Sequence, residues 1–171
     1  MERYFLESER LYFRKMSMDD FDILSSMLQD SEVMYAWEYT FEDFDVKDWI
    51  TKNLRLYEQI NLGYFLLVEK SSGYVVGQAA LMPDTINSKT YYEIGYILKR
   101  DCWGDGYATE AAKALLNFAK LNYPDNDYIL EIRPENLNSV RVADRLCARI
   151  IGSFDKNVRG KVMKHLIYKL D

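Results

Sequence analysis

Apolar residues in the first third of the chain recur at helical spacing. After a first strand predicted over 10–16, apolar positions three and four residues apart predict a helix over 18–30. Ser17 is placed to act as the N-cap of this helix. A second helix is predicted over 46–60, where an apolar residue returns at every third or fourth position.

The periodicity then changes from helical spacing to runs of strand length. The apolar run 64–69, the turn signal 71–73 and the run 74–82 predict a β-hairpin. We expect a loop over 83–89 after this hairpin. The next strand is predicted over 90–98, because that segment is rich in β-branched and aromatic residues.

The remaining elements are predicted as helix 107–121, strand 127–133, helix 138–148 and a closing hairpin of 149–154 and 161–170. The element order β-α-α-β-β-β-α-β-α-β-β contains antiparallel hairpins, which argues against a doubly wound parallel sheet. One crossover through the helix that follows the 90–98 strand can make a single parallel pair. We therefore expect an α+β fold, in which one mixed, mostly antiparallel, curved sheet is flanked by helices. A single domain is expected over 1–171.

Composition is typical of a globular protein and narrows the function classes. Of the 171 residues, 49% are hydrophobic and 29% are charged, with no apolar run of membrane-spanning length and no secretory signal. The formal net charge of −5 argues against nucleic-acid binding and is compatible with a cationic acceptor. Cys102 and Cys147 form no CxxC pair and no metal cluster, so we expect a reduced, cytoplasmic protein without a metal.

The stretch CWGDGYATE (102–110) places two glycines between a predicted strand and the start of a helix. Main-chain N–H groups in such a turn, together with the positive end of the helix dipole, suit a phosphate or diphosphate. A tight turn or a simple helix start is the alternative for this motif alone. A Walker loop is excluded because no Gly-Lys-Ser/Thr follows. A Rossmann loop does not fit, because position 109 is Thr and the preceding strands look antiparallel.

The segment YEIGYILKRDCWGDGYATEAAKALLNFA (92–119) resembles the acetyl-CoA-binding motif of the GNAT N-acetyltransferases. The branch it resembles most contains the ribosomal-protein N-terminal acetyltransferases. LYFRKMSMDDFD, VVGQAAL and RPENLNSVRVADRL match further segments of the family in the same order, so the resemblance covers nearly the whole chain. It implies the acyl-CoA N-acyltransferase fold and acetyl-CoA as co-substrate. It also implies transfer of the acetyl group to a primary amine by direct attack in a ternary complex.

Two other functions stay open beside an N-acetyltransferase. One is a CoA-binding module of the same fold that lacks turnover. The other is a nucleotide-binding protein unrelated to CoA. Binding and turnover measured with acetyl-CoA distinguish the three, because only an enzyme acetylates an amine.

The resemblance also implies a set of cofactor residues. Loop 101–106 is expected to hold the CoA diphosphate through main-chain amides. The strand ending at Ile97 and Leu98 is expected to pair with the pantetheine arm, like an extra strand in a splayed sheet. The expected cofactor residues are Ile97, Leu98, Cys102, Trp103, Gly104, Asp105, Gly106, Tyr107, Ala108, Thr109, Asn136, Ser139 and Arg141. Arg141, Arg145 and Lys113 are candidates for the ribose phosphate, with a solvated helix face as the alternative.

Acetyl transfer requires a base, because an alkyl ammonium has a pKa near ~10 and must lose a proton before it can attack. Glu93 is the candidate base, acting through a relay water, since it shares a strand face with Ile97 and lies about 13 Å back along the strand. A solvent-facing strand residue is the alternative. Ser139 is the candidate for protonating or hydrogen-bonding the leaving sulfur, with Tyr168 as a distant alternative. A main-chain N–H near the end of this strand would polarise the thioester carbonyl.

The sequence departs from the family pattern at several positions. Asp101 stands where Arg or Gln is common, Cys147 and Ala148 replace a Gly-Phe pair, and Ala143 replaces the tyrosine that many members use as general acid. A covalent acetyl-cysteine step at Cys102 is disfavoured, because no histidine is at hand to activate the thiol. His165, the only histidine, is expected to have a packing or surface role.

The stretch MYAWEYTFEDFD (34–45) mixes aromatic rings with carboxylates, a combination that suits a cationic amine. The alternative is that the rings cap the core and the acids are solvated. Loop 83–89 is a further candidate for the acceptor side. We expect the acceptor to be a small-molecule amine or a protein or peptide N-terminus, with no nucleic acid and no membrane involved. The oligomeric state stays open, a homodimer included.

Overall fold

The computed structural model describes residues 4–171. Its strands are β1 (Leu6–Glu7), β2 (Leu11–Lys15), β3 (Gly63–Glu69), β4 (Val75–Ile86), β5 (Lys89–Leu98), β6 (Tyr128–Ile132), β7 (Arg149–Val158) and β8 (Lys161–Leu170). Its α-helices are α1 (Phe21–Leu28), α2 (Asp43–Ile60), α3 (Tyr107–Asn122) and α4 (Leu137–Arg145). Short 3₁₀ turns lie at Met18–Asp20, Tyr35–Trp37 and Arg100–Cys102.

The strands form one open sheet in the order β1-β2-β3-β4-β5-β6-β8-β7. Every neighbouring pair is antiparallel except β5 and β6, which are parallel. The parallel pair arises because the chain leaves β5, crosses back through α3 and enters β6 in the same direction. This confirms the predicted α+β class and the predicted single crossover.

Helices cover both faces of the sheet. On one face, Trp49 of α2 donates its indole N–H to the Gln78 side chain of β4 at 3.0 Å. On the other face, Tyr92 of β5 stacks on Tyr123 at the end of α3, with ring centroids 4.6 Å apart. Because side chains alternate along β5, Glu93 and Ile97 share the α2 face.

The helical stripes predicted from the sequence form the core. Apolar side chains of α1, α2 and α3 are fully buried, among them Leu24, Val46, Ile50, Ala111, Ala112, Leu115 and Ala119. The Ser17 hydroxyl accepts a hydrogen bond from the Asp19 amide at 3.2 Å. Ser17 therefore caps the 3₁₀ turn that leads into α1, rather than α1 itself.

The predicted loop over 83–89 is wrong, because β4 and β5 extend into that segment. Asn87 and Ser88 make the whole turn, with φ angles of 48° and 68°. Positive φ at both central residues is typical of a type I′ turn, whose twist matches that of the two strands it joins. The hairpin was missed because Asn-Ser is a weaker signal than Asn-Gly.

Pro83 is compatible with this longer strand. It lies opposite Tyr92 of β5, and β3 begins opposite Leu81, two residues earlier. The imide nitrogen of Pro83 therefore lies beyond the end of β3, where the sheet needs no donor. Two other elements are also longer than predicted, since α2 begins at Asp43 and β7 continues to Val158.

Among residues 4–171, no helix is long and apolar enough to cross a membrane.

Gly77 of β4 sets how closely β4 approaches the end of β5. A Cβ at this position would lie 2.5 Å from the Ile97 carbonyl oxygen and 2.8 Å from the Leu98 Cα. We expect Gly77→Ala to destabilise the fold by about 1–3 kcal/mol, because backbone atoms would have to move. Urea unfolding of both the wild type and the variant measures this free energy.

Gly152→Ala is the matched control. A Cβ on Gly152 of β7 meets nothing closer than a side-chain methyl of Ile167 at 3.8 Å. Its free energy of unfolding is expected to stay within about 0.5 kcal/mol of the wild type. Equal losses in the two variants would contradict the close approach at Gly77.

Candidate active site

The parallel strands β5 and β6 pair for only a short distance and then separate. The register joins Tyr92 to Tyr128 and Glu93 to Ile129, and goes no further. Beyond this point β5 remains paired with β4 on its other side. A wedge-shaped opening therefore lies between β5 and β6, and we call it the strand gap.

The main-chain groups of β5 that face the strand gap can be assigned by alternation. Tyr92 donates its amide to Asp127 at the start of β6, whereas Lys99 donates to Val76 at the start of β4, both at 2.9 Å. Residues in phase with Tyr92, including Tyr96 and Leu98, therefore present their main-chain groups to the gap. Ile97 presents its main chain to β4 and its side chain to the α2 face.

A cavity of about 230 Å³ lies beside the strand gap, between α3 and α4. We call it the cofactor cavity. All of the expected cofactor residues line it except Cys102 and Asp105. The structure thus gathers residues from β5, from the glycine loop and from α4 around one space. Other lining residues are Val33, Tyr35, Ala36, Trp37, Tyr96, Asn138, Val142 and Arg145.

The glycine loop presents a run of free main-chain amides. Among residues 4–171, no oxygen accepts a hydrogen bond from the amides of Gly104, Asp105 or Gly106. The next three amides, of residues 107–109, are the first of α3, and the first amides of a helix have no partner within it. The first helical bond is made by Glu110, which donates to the Gly106 carbonyl at 3.0 Å.

The two glycines of the loop are required by its backbone. Gly104 has a φ of +86° and Gly106 a φ of +81°, a region that L side chains rarely adopt. A Cβ on Gly104 would meet nothing within 4 Å, so the loop faces open space. Consecutive free amides at a helix N-terminus, facing open space, are suited to a phosphate or diphosphate.

A clamp from the start of β2 holds this loop in place. Glu110 of α3 accepts hydrogen bonds from the Ser8 hydroxyl at 2.6 Å and from both the Arg10 amide and Nε at 2.7 Å. Arg10 in turn donates from Nη2 to the Asp105 carbonyl at 3.0 Å. The amides of the loop therefore point outward while one of its carbonyls is held from behind. Sequence reasoning missed Arg10 and Glu110, because nothing local links positions one hundred residues apart.

Cys102 does not take part in the cavity, contrary to expectation. Its side chain is 6% exposed and its amide donates to the Lys99 carbonyl at 3.0 Å. Burial, with the nearby Asp101 carboxylate, raises the pKa of the Cys102 thiol to about 11. The thiol is therefore protonated at neutral pH, which argues against a covalent cysteine step. Asp101 itself accepts a hydrogen bond from the Tyr74 hydroxyl at 3.1 Å and does not line the cavity.

Helix α4 closes the cofactor cavity on the far side. The Asn136 side chain caps α4 by accepting from the Ser139 amide at 3.2 Å, and it also accepts from the Tyr35 hydroxyl at 2.7 Å. Asn136 therefore connects α4 to the segment between α1 and α2. Arg141 and Arg145 line the cavity, whereas Lys113 does not.

A second cavity, of about 490 Å³, lies on the α2 face of the sheet. We call it the acceptor cavity. It meets the cofactor cavity at the strand gap, where both are lined by Ala36, Trp37, Tyr96, Ile97, Asn136 and Ser139. Glu93 lines the acceptor cavity but not the cofactor cavity. Ser139 lines both, so the structure places the two candidate catalytic residues around one continuous space.

Aromatic rings form much of the wall of the acceptor cavity. Trp37, Tyr39, Trp49 and Tyr64 all line it. The Tyr64 hydroxyl crosses over Gly95, where a Cβ would lie only 2.8 Å from it. A side chain larger than that of glycine at position 95 would thus displace this ring.

The stretch 34–45 contributes its rings to the acceptor cavity but not its acids. Glu38 accepts from Lys161 and lies 3.5 Å from the Arg133 guanidinium, and Asp45 pairs with Arg159 at 3.0 Å. These carboxylates are neutralised within the chain. The acidic groups that line the cavity are instead Glu93 and Glu131, which lie on strands.

Glu93 belongs to a cluster of three carboxyl groups, which we call the acid cluster. One carboxyl oxygen from each of Asp84, Glu93 and Glu131 lies within 4.8 Å of the other two. Burial is the main cause of a raised pKa at Glu93, and the ammonium group of Lys156 opposes it. A carboxylate with a raised pKa is better matched to accepting a proton near neutral pH.

Several hydroxyl groups surround the strand gap. The Tyr96 hydroxyl lies 3.5 Å from the Ser139 carbonyl oxygen, at the junction of the two cavities. Ala143, which replaces the tyrosine of many relatives, is fully buried and offers no hydroxyl. Tyr168 lines neither cavity. His165 lines the acceptor cavity, and burial lowers the pKa of its imidazole.

Comparisons with known proteins give a consistent picture. Residues 10–149 match the family described as Acetyltransferase (GNAT) domain. The "uncharacterized N-acetyltransferase p20" of Bacillus licheniformis is 33% identical over 146 residues, which cover 82% of this chain and 80% of the relative.

Solved structures share the fold. A GNAT-family acetyltransferase from Bacillus anthracis superposes with a TM-score of 0.81 at 24% identity, covering 96% of each chain. The ribosomal L7/L12 alpha-N-protein acetyltransferase RimL, solved in complex with coenzyme A, superposes with a TM-score of 0.78 at 16% identity, covering 98% of this chain and 97% of the other.

Gly104→Ala tests the glycine loop directly. We expect it to weaken coenzyme A binding about 10-fold or more, because a Cβ would strain the positive φ and project into the space that the amides face. Isothermal titration with coenzyme A measures the Kd.

The matched control is Gly73→Ala in the β3–β4 turn. Gly73 has a φ of +72° and likewise has nothing within 4 Å of a Cβ, so it carries the same backbone strain far from the loop. Thermal stability is expected to fall by a similar amount in both variants, with the Kd changed only by Gly104→Ala. Unchanged affinity in Gly104→Ala would exclude the loop as the diphosphate site.

Proposed function

The chain belongs to the GNAT acetyltransferase family, and we propose that it moves the acetyl group of acetyl-CoA to a primary amine that enters through the acceptor cavity. The thioester is expected at the strand gap, where the two cavities meet. Both substrates are then bound at once, and the amine attacks the thioester carbon directly. We propose that the chain over 1–171 acts as one GNAT-type domain, because a single sheet contains all of the strands found between Leu6 and Leu170.

The free amides of residues 104–109 carry this proposal. A run of six N–H groups without acceptors at the start of α3 is costly unless solvent or a ligand satisfies it. A diphosphate supplies enough oxygens to bind several of them at once. Pantetheine amides would extend from there along the main-chain groups of Tyr96 and Leu98, which lie next to the loop and also lack a strand partner.

Trp103 covers part of the edge of β5 that faces the strand gap. Its indole Nε1 donates to the Leu98 carbonyl at 3.2 Å, so that carbonyl is already satisfied in the protein alone. The Leu98 amide keeps its orientation toward the gap. A main-chain donor at this position is suited to the negative charge that develops on the thioester oxygen.

The residues around the two cavities account for each proton and bond in the proposed acetyl transfer. The attacking ammonium first loses a proton, through water, to the Glu93 carboxylate. The amine nitrogen then forms a bond to the thioester carbon, the carbon–sulfur bond breaks, and the electron pair leaves on sulfur. Ser139 and Tyr96 carry the hydroxyl groups that line both cavities at the strand gap, and each is able to donate a hydrogen bond to that thiolate.

Tyr96 is a hydrogen-bond donor rather than a strong acid. Burial raises the pKa of its phenol above the ordinary value, and the Ser139 contact only partly opposes this. A free thiol has a pKa near ~8.5, so complete transfer of the phenol proton to the thiolate is uphill. Tyr96 therefore stabilises the leaving group without becoming ionised, and the final proton comes from solvent.

The walls of the acceptor cavity support an amine substrate. The aromatic rings of Trp37 and Trp49 are suited to an ammonium group, and Glu93 of the acid cluster adds negative charge to the same cavity. The name of the RimL relative places its activity on the terminal amino group of a ribosomal protein. By analogy, a protein or peptide N-terminus is a candidate acceptor here, beside a small-molecule amine.

Turnover with a panel of amines tests the proposal. Acetyl-CoA is expected to raise the melting temperature, and at least one amine or peptide N-terminus is expected to release free CoA thiol in a coupled colorimetric assay. Stabilisation without turnover on any amine would favour the non-catalytic CoA-binding module. Stabilisation by nucleotides but not by CoA would exclude the acetyltransferase proposal altogether.

Glu93→Gln tests the base. Because an amide cannot accept the proton, kcat is expected to fall about 100-fold while the Kd for coenzyme A stays unchanged. Glu58→Gln on the exposed surface of α2 is the control and should keep full activity. Full activity in Glu93→Gln would remove Glu93 as the base.

A further inference from the structure

The acid cluster is built by three neighbouring strands on one face of the sheet. Glu93 of β5 lies opposite both Met82 of β4 and Ile129 of β6. Asp84 and Glu131 each lie two residues further along those strands, so all three side chains emerge on the α2 face. Because β4 runs antiparallel to β5 and β6 runs parallel to it, Asp84 and Glu131 lie on opposite sides of Glu93 along the sheet, and their side chains converge on Glu93 from the same face.

Glu131 is an enclosed member of the acid cluster. Its side chain is only 2% exposed. One carboxyl oxygen, Oε2, lies 3.3 Å from the Lys156 ammonium, whereas Oε1 is buried and has no hydrogen-bond donor among residues 4–171. A buried carboxylate oxygen without a donor costs several kcal/mol if the group is ionised.

The charges around the acid cluster do not balance if all three acids are ionised. Lys156 supplies one positive charge within contact distance, and it is half exposed. Three carboxylates within 4.8 Å of one another leave a net negative charge in a poorly solvated place. A proton on one carboxyl group reduces this repulsion and turns an unpaired oxygen into a donor.

We propose that Glu131 is held protonated and donates a hydrogen bond into the acid cluster, which leaves Glu93 as the ionised group that accepts the proton of the attacking amine. Glu131 is thus a positioning residue, since it acts on the substrate only through Glu93. The catalytic consequence rests on the proposed function, whereas the protonation of Glu131 does not.

The groups that face the acid cluster support this assignment. Burial, followed by the charge of Glu93, raises the pKa of Glu131 to about 9. Burial alone would lower the pKa of Lys156, but the neighbouring acid cluster raises it, so Lys156 remains an ammonium. Other charged or titratable groups around the acceptor cavity are Tyr39, Lys52 of α2, Tyr64 of β3, Tyr96 of β5, Arg133, Arg159 and His165.

The proton path then has a defined start and end. The ammonium proton passes through water in the acceptor cavity to the carboxylate of Glu93. Protonated Glu131 keeps its own proton and stabilises the ionised state of Glu93 before each turnover. Glu93 returns the accepted proton to solvent through the same cavity once the acetylated amine has left.

Two variants of Glu131 distinguish the protonated from the ionised form. Glu131→Gln keeps a neutral donor, and Glu131→Met keeps the length of the side chain but removes the donor. If Glu131 is protonated, the acid limb of the kcat/KM–pH profile stays in place in Glu131→Gln and moves up by about one pH unit in Glu131→Met. If Glu131 is ionised, both variants remove a negative charge, so the limb moves down in both and the proposal fails.

Lys156→Met provides a second sign test. Losing the ammonium group raises the pKa of Glu93, so the acid limb should move to higher pH. Glu58→Gln, outside the cavity, should leave the profile unchanged. A downward shift in Lys156→Met would contradict the proposed electrostatics.

A spectroscopic test separates this inference from the proposed function, since it needs no acceptor. The infrared difference spectrum of wild type minus Glu131→Gln at pH 7 should contain a protonated-carboxyl C=O band that vanishes above about pH 9. Absence of that band at pH 7 would overturn the assignment whatever the enzyme's activity. A band without turnover on any amine would leave the protonation in place and remove only the catalytic role.

The stability of the fold provides an independent check. The folded protein keeps a proton on Glu131 that the unfolded chain loses above its ordinary pKa near ~4.3. Folding therefore binds a proton in this range, and the stability from Glu131 falls as the pH rises toward about 9. Relative to Glu131→Gln, the wild type should lose melting temperature steadily between pH 5 and 9, whereas a constant difference would contradict the raised pKa.

Discussion

The separation of β5 from β6 is the constraint on which the site depends. Two parallel strands that pair only at Tyr92 and Glu93 leave the main-chain groups of β5 that face the gap, such as those of Tyr96 and the Leu98 amide, without a strand partner. A folded protein does not normally leave such groups unsatisfied, so their presence beside a cavity is informative. In the glycine loop, the amides at the start of α3 likewise have no hydrogen-bond acceptor. Together the two features define one continuous surface for an extended, amide-bearing ligand with a charged end.

The α2 face of the sheet carries different side chains from the α3 face, because successive side chains along a strand point to opposite faces. Side chains in phase with Ile97 face α2, and those in phase with Tyr96 face α3. Glu93, Asp84 and Glu131 all share the first phase. The same alternation that turns unpaired amides toward the cofactor cavity therefore turns the acid cluster toward the acceptor cavity, and one strand serves both substrates.

Much of the architecture followed from the sequence because its signals are local. Periodicity located the helices and strands, and the Gly-Asp-Gly turn before α3 identified the loop that presents free amides. Register, in contrast, depends on pairing between distant segments. The convergence of Asp84 and Glu131 on Glu93 could not be predicted for that reason, and neither could the clamp from Arg10 to Glu110. The prediction of a loop over 83–89 was wrong because the turn there is made by Asn87 and Ser88. Both adopt positive φ angles, for which their residue types give only a weak signal.

The two cavities lie on opposite sides of the sheet and touch only at the strand gap. Their only common walls are the six residues that border this gap. The sheet therefore separates the two cavities everywhere except at this gap. In the reaction proposed above, neither substrate would have to pass the other, so their order of binding would be free. The two products would likewise leave from separate cavities, so that release from one face of the sheet would be independent of release from the other.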